Sequence, residues 1–165
     1  MNKLNELIKY ILVKYPKIEE LSKPRLVKLI YLIDWKHSIE FGEQYTDIRW
    51  IYNHYGPYVN DVINTIKNNP DIYEVYTREN PYGGITDKFN IKKSKNLQIN
   101  IDIKGKKITD FIIEKTFHIE WSNFISIVYS TYPVRTNLKY STLDLKSLAI
   151  EYKAEKTTGN NVYKK

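Results

Sequence analysis

The stretch SKPRLVKLIYLIDWKHSIEFG, residues 22–42, predicts a long helix with clear ends. Ser22 suits the N-cap, Pro24 falls in the first turn where its missing N–H costs nothing, and Gly42 ends the helix. Its apolar arc is wide and consists of Leu26, Leu29, Ile30, Tyr31, Leu32, Ile33, Trp35 and His37. Because so much apolar surface must be buried, we predict that this helix, residues 24–41, lies at the centre of the domain.

Helical spacing of apolar residues predicts about five further helices around the central one. The segments that show it are residues 4–12, 59–66, 108–115, 120–129 and 143–153. Neither an internal repeat nor a long linker divides the chain, so we predict one domain over residues 1–154. The polar run from residue 155 to residue 165 is typical of a disordered tail.

The character of the sequence changes between residues 72 and 103, where apolar and polar residues alternate with period two. Residues 72–76 and 89–91 predict two strands, and the turn-forming residues 80–84 lie between them. Residues 97–103 show the clearest alternation and predict a third strand. The fold class that follows is α+β, mainly α-helical, with a small antiparallel β-sheet or hairpin between residues 72 and 103.

Composition excludes several classes of function. The chain has 165 residues and no cysteine, which excludes disulfides, thiolate metal sites and a cysteine nucleophile. The apolar runs are far shorter than a bilayer span requires, and residues 1–15 do not form a signal peptide. We therefore expect a soluble, cytoplasmic protein. The net charge of +7 is carried mostly by Lys rather than Arg, which is a weak sign of nucleic-acid binding.

Residues with catalytic or metal-binding chemistry do not form a recognisable pattern. The sequence has no Gly-x-Ser-x-Gly and no phosphate-binding glycine loop. Asp34, His37 and His54 are the available ligands for a metal, but their spacing matches no known site, and packing is the favoured interpretation. We expect no enzyme activity, no metal and no cofactor.

Aromatic residues with polar tips cluster around the turn Gly56-Pro57. Such side chains are enriched at protein interfaces, and their alternative role is to pack this segment onto the central helix. The candidate partner-binding residues are Trp50, Tyr52, Tyr55 and Tyr58.

The segment from residue 24 to residue 66 resembles the Panacea domain, also called the SocA-like antitoxin domain. The family pattern is a Lys-Leu-x-Tyr-x-x-Asp helix with a following His and Gly, then an aromatic residue and a Tyr-Gly-Pro turn into a helix. Residues 128–133 and 143–145 are similar to the C-terminal half of the family, whereas the β insertion at 72–103 does not align. The matching structural positions are Lys28, Tyr31, Asp34, His37, Gly42, Gly56 and Pro57.

The resemblance implies an antitoxin of a two-gene toxin–antitoxin module, of the kind often found on phages and prophages. Such a protein neutralises its cognate toxin by direct protein–protein binding, and some members are similar to adaptors that deliver the toxin to an ATP-dependent protease. We expect Asp34 and His37 to hold the central helix against the turn at residues 55–57.

Two other functions stay open from the sequence. One is inhibition of a host protein by a phage-encoded protein, which uses the same binding physics. The other is regulation through nucleic acid, suggested by basic residues on both sides of residues 97–103. These basic residues are Lys92, Lys93, Lys95, Lys104, Lys106 and Lys107.

Overall fold

The computed structural model describes residues 2–93 and 96–162. Its helices are α1 (Lys3–Lys14), α2 (Lys23–Phe41), α3 (Asp61–Lys67), α4 (Ile103–Thr116), α5 (Trp121–Ser130), α6 (Tyr132–Thr136) and α7 (Leu145–Val162), with one 3-10 turn at Ile18–Glu20. Its strands are β1 (Trp50–Asn53), β2 (Gly56–Pro57), β3 (Tyr73–Glu79), β4 (Ile85–Ile91) and β5 (Thr142–Leu143). The predicted α+β class, mainly helical, is confirmed.

Helix α2 is the central element, as predicted. The Ser22 side chain accepts a hydrogen bond from the backbone N–H of Arg25, and Gly42 ends the helix at φ 74° in the left-handed region. Apolar side chains are buried on most of its circumference because α4, α5 and α7 all pack against it. A helix surrounded in this way organises the core and fixes the positions of the segments at both of its ends.

Two separate antiparallel sheets accompany the helices. Strands β3 and β4 form a hairpin whose register runs from Tyr73 opposite Ile91 to Glu79 opposite Ile85. The Asn80 side chain closes the turn by accepting hydrogen bonds from two backbone N–H groups, those of Tyr82 and Gly84. The other sheet has the order β2-β1-β5, and its strand β2 is the Gly56-Pro57 pair. The hairpin confirms the predicted sheet within residues 72–103.

The third strand predicted at residues 97–103 is wrong. Residues 97–102 have no strand structure, and α4 begins at Ile103 with the Asp102 side chain as its N-cap. The segment is held by side chains of α1: Lys9 Nζ donates to the Gln98 carbonyl at 2.7 Å, and the Glu6 carboxylate accepts from the Asn100 N–H at 2.6 Å. Burial does alternate along it, so the period-two pattern reports a half-buried extended segment rather than sheet pairing.

The disordered tail predicted from residue 155 is also corrected. Helix α7 continues to Val162, so only the last three residues of that tail lie outside the described part of the chain. The helix is anchored by its first half, where Leu145, Leu148 and Ala149 are buried and the Tyr152 ring lies 5.6 Å from that of Trp35. Its polar second half extends a helix that packing has already nucleated. Among the described residues, no helix is long and apolar enough to cross a membrane.

Candidate functional site

The buried carboxylate of Asp34 fixes the segment that leaves the C-terminal end of α2. It accepts hydrogen bonds from the Thr46 N–H at 2.9 Å, the Thr46 hydroxyl at 2.6 Å and the Trp50 indole N–H at 2.8 Å. Burial raises the pKa of Asp34 to about 6, against the lowering effect of these donors. Asp34 is therefore a structural residue that ties residues 46–50 to the central helix.

His37 and Tyr31 make further polar contacts from α2. His37 Nδ1 lies 2.6 Å from the Glu43 carbonyl, and its ring packs between the rings of Phe41 and Tyr45. The Tyr31 hydroxyl lies 2.8 Å from Thr131 Oγ1, at the junction of α5 and α6. Both residues thus join α2 to chain segments other than the Gly-Pro turn.

The Gly-Pro turn is held to α2 by Lys28. Lys28 Nζ donates to the Pro57 carbonyl at 2.7 Å. Gly56 has φ 92°, in the left-handed region, and it is buried beside the Lys28 stem and the Tyr129 ring. The expectation that Asp34 and His37 hold this turn is therefore wrong, because they hold residues 43–50, one segment earlier in the chain.

Two of the four predicted partner-binding residues are buried. Trp50 has no exposed surface, and its ring meets that of Tyr31 edge-on at 5.5 Å. Tyr52 is 9% exposed and packs against Tyr129. These residues belong to the core, and we correct their assignment: side chains on alternate positions of β1 are buried, Trp50 against α2 and Tyr52 against α5.

The other two predicted residues line a surface groove of about 320 Å³. Tyr55 is 77% exposed at the turn between β1 and β2, and Tyr58 is half-buried just after β2. The opposite wall comes from α5. We call this site the aromatic groove, and it is lined by Pro24, Lys28, Tyr55, Tyr58, Trp121, Ile125 and Tyr129.

Three of the groove residues were not identified from the sequence. Trp121, Ile125 and Tyr129 lie at spacings of four along α5, which places them on one face of that helix. Phe124 and Val128, one residue before Ile125 and Tyr129, are fully buried and form the core-facing stripe of the same helix. A second apolar stripe beside the core-facing one indicates an exposed apolar surface that is available for binding.

Lys28 gives the aromatic groove its electrostatic character. Its side chain is 3% exposed, and burial lowers its pKa to about 8. Nζ lies 5.6 Å from the centre of the Tyr58 ring, at the distance of a cation–π contact. The groove therefore combines apolar and aromatic lining residues with one lysine.

The remaining predicted residues lie elsewhere. His54 is exposed beside Tyr140, far along the chain from the buried Asp34 and His37 pair. Among residues 2–93 and 96–162, no group of three or more His, Cys, Asp or Glu side chains has a metal-binding arrangement.

The lysines of the nucleic-acid alternative are divided between two elements. Lys92 and Lys93 are exposed after β4, and Lys104, Lys106 and Lys107 are exposed in the first turns of α4. Lys107 forms an ion pair with Glu40, which neutralises part of this charge. Lys95 lies outside the described residues. Nucleic-acid binding by this set stays a prediction.

Fold and site together define a mainly helical α+β protein whose Lys-Leu-x-Tyr-x-x-Asp helix supports an aromatic groove. The family model for the antitoxin SocA-like, Panacea domain matches residues 26–133, and the chain belongs to this family. No curated protein and no solved structure gave a significant match to the chain. The family match begins and ends within the groove-bearing part of the fold, from α2 to α6.

Proposed function

We propose that the protein is a cytoplasmic antitoxin that neutralises a partner toxin by direct contact through the aromatic groove. Membership of the SocA-like Panacea family supports an antitoxin role. The observation that carries the assignment to the groove is its set of aromatic side chains: Tyr55 and Trp121 are exposed, and Tyr58 and Tyr129 are half-buried. Exposed Tyr and Trp side chains that surround a concave apolar surface are typical of protein-binding sites.

The motif explains how the groove is built. Lys28 fixes the Pro57 carbonyl, and this contact sets the positions of Tyr55 and Tyr58 on either side of the turn. The structural residues of α2 therefore act on binding indirectly, through the shape of the groove wall. We infer a binding function without catalysis, since the described residues that line the groove include no Asp, Glu, His, Ser or Thr side chain.

Removal of the aromatic rings of Tyr55 and Tyr58 is expected to weaken toxin binding. The full chain is co-expressed with the product of the adjacent gene, and dissociation constants are measured by calorimetry. Tyr55→Ala and Tyr58→Ala should each raise Kd about 10- to 100-fold, the effect typical of aromatic residues at the centre of an interface. Growth rescue in cells should decrease as Kd rises.

A matched control is available at the other end of α2. Ile103 is 87% exposed, and it lies beside Lys104, whose ammonium group is over the Phe41 ring. The helix rise places that end about 25 Å from Pro24. Ile103→Ala should leave Kd unchanged. Unchanged affinity in a folded Tyr55→Ala/Tyr58→Ala double variant would exclude the groove, and failure of the wild-type protein to bind or rescue would exclude the antitoxin role.

Delivery of the toxin to an ATP-dependent protease is the finer form of this proposal. The two modes differ in the fate of the bound toxin. The toxin's half-life, measured after translation is blocked, distinguishes them: delivery shortens it when the antitoxin is present, whereas sequestration leaves it unchanged or lengthens it.

A further inference from the structure

Lys28 differs from the other buried cations of α1 and α2 in how its charge is compensated. Lys9 is 7% exposed and pairs with the Glu6 carboxylate at 2.7 Å. Arg25 is also 7% exposed and donates to three oxygens, those of Tyr15, Thr116 and Ile119. Lys28 is more deeply buried than either, yet within residues 2–93 and 96–162 its ammonium group donates to one acceptor, the Pro57 carbonyl.

No carboxylate of the described residues lies within ion-pair distance of Lys28 Nζ. An ammonium group has three N–H donors, and burial of its charge without a counter-ion is costly. The Tyr58 ring offsets part of this cost through its face. Lys28 is also one of the residues that line the aromatic groove, so a ligand in the groove is the available source of a further acceptor.

We propose that Lys28 is the anchor of the aromatic groove and receives an Asp or Glu side chain of the toxin, which inserts between the aromatic walls. This inference rests on the proposed antitoxin function. Apolar walls exclude water and strengthen an ion pair formed inside them, so the carboxylate is favoured over a neutral acceptor. The acidic residue is expected to be flanked by apolar residues that contact Trp121 and Ile125.

The charge of the whole chain agrees with an acidic contact surface on the toxin. A net charge of +7 attracts an acidic partner at long range and raises the association rate at low salt. Long-range attraction does not select a particular residue of the toxin, and the short-range contact with Lys28 does. An acidic side chain satisfies both requirements.

The pH dependence of binding provides a test that a purely structural Lys28 does not mimic. Burial lowers the pKa of Lys28 to about 8 in the free protein, and a bound carboxylate raises it again. Below pH 8 the lysine is protonated in both states, so Kd is constant. Above pH 8 the free protein loses this proton and must regain it on binding, so Kd should rise about tenfold per pH unit up to the pKa of the complex.

The experiment uses the wild-type protein and the adjacent gene's product. Calorimetry gives Kd from pH 6.5 to pH 10, and the ¹³Cε chemical shift of Lys28 gives its pKa in the free protein and in the complex. We expect a constant Kd to pH 8, a rise above it and a raised pKa in the complex. In a double-mutant cycle, Lys28→Met should weaken binding at least tenfold, and the effect should shrink to the part caused by loss of the Pro57 contact when one Asp or Glu of the toxin is replaced by its amide.

Lys106→Met is the matched control, because it removes one charge from an exposed lysine in the first turns of α4. It should change Kd less than twofold. If no complex forms, the proposed function fails. If a complex forms but the pKa of Lys28 is unchanged and Kd stays constant above pH 8, the carboxylate contact is wrong while the antitoxin role stands. Coupling of Lys28 to the toxin's C-terminal carboxylate instead of a side chain also contradicts the proposal.

Discussion

Replacement of Asp34 by alanine is expected to lower the free energy of unfolding by about 3–5 kcal/mol. The side chain is fully buried and accepts three hydrogen bonds from Thr46 and Trp50. Without it the Thr46 N–H and the Trp50 indole N–H have no acceptor and no access to water, while the Thr46 hydroxyl can rotate to another partner. Urea unfolding followed by Trp fluorescence measures the loss.

Asp34→Asn is the matched variant, since it keeps the shape of the side chain. Trp50 and the Thr46 hydroxyl both donate to Oδ2, whereas the Thr46 N–H donates to Oδ1. Whichever way the amide is oriented, its NH₂ group faces an N–H donor. We expect a loss of about 1–3 kcal/mol, the cost of one unpaired buried donor. Equal stability of the wild type, Asp34→Ala and Asp34→Asn would show that these hydrogen bonds do not hold residues 46–50.

The same carboxylate should make stability depend on pH in a direction that is unusual for an acid. Its folded-state pKa is raised from 3.8 to about 6, so between these values the folded protein binds more protons than the unfolded chain. The contribution of Asp34 to stability therefore falls as pH rises through this window, by up to about 3 kcal/mol. The difference between wild type and Asp34→Asn, measured from pH 4 to pH 6.5, isolates this effect from the other carboxylates. A constant difference would contradict it.

The sequence predicted the central helix correctly because its information is local. Ser22, Pro24 and Gly42 act on their own backbone, and the wide apolar arc between them requires burial whatever covers it. The hairpin of β3 and β4 was predictable for the same reason, since its turn is closed by one side chain, Asn80. Local signals thus fixed most of the fold class without knowledge of any contact between distant residues.

The predictions that were wrong concern residues whose contacts lie far away in the sequence. The alternation in residues 97–103 reports which side chains are buried, but it does not reveal that Glu6 and Lys9 replace a neighbouring strand. Likewise, the amphipathic character of Trp50 and Tyr52 does not show whether β1 places them against α2 or toward solvent.

The candidate site was half predictable for a similar physical reason. Tyr55 and Tyr58 flank a Gly-Pro turn, so their exposure follows from the turn itself. The other wall of the groove belongs to α5, more than sixty residues later, and only the tertiary fold brings Trp121 beside Pro24. Lys28 was identified as a motif residue, whereas its uncompensated charge depends on every element packed around it.

Gly56→Val is expected to lower the free energy of unfolding by about 2–4 kcal/mol and to weaken toxin binding as well. Gly56 has φ 92°, where an L-residue costs about 1–2 kcal/mol and a β-branched residue more. A Cβ at this position would lie 3.6 Å from both Lys28 Cε and the Tyr129 ring, which is ordinary contact. The two γ-methyl groups of valine extend beyond that contact into a buried site and crowd it.

Gly56→Ala separates the two causes, because its Cβ fits and only the backbone cost remains. We therefore expect stability to decrease in the order Gly, Ala, Val, with alanine about 1–2 kcal/mol below wild type. Toxin binding should depend on the position of the turn rather than on the stability of the variant. A valine that displaces the Pro57 carbonyl from Lys28 moves Tyr55 and Tyr58 together, so Kd should rise more than tenfold in protein that is still folded. Calorimetry at a temperature well below the unfolding midpoint measures this; a folded valine variant with wild-type affinity would show that the turn does not shape the groove.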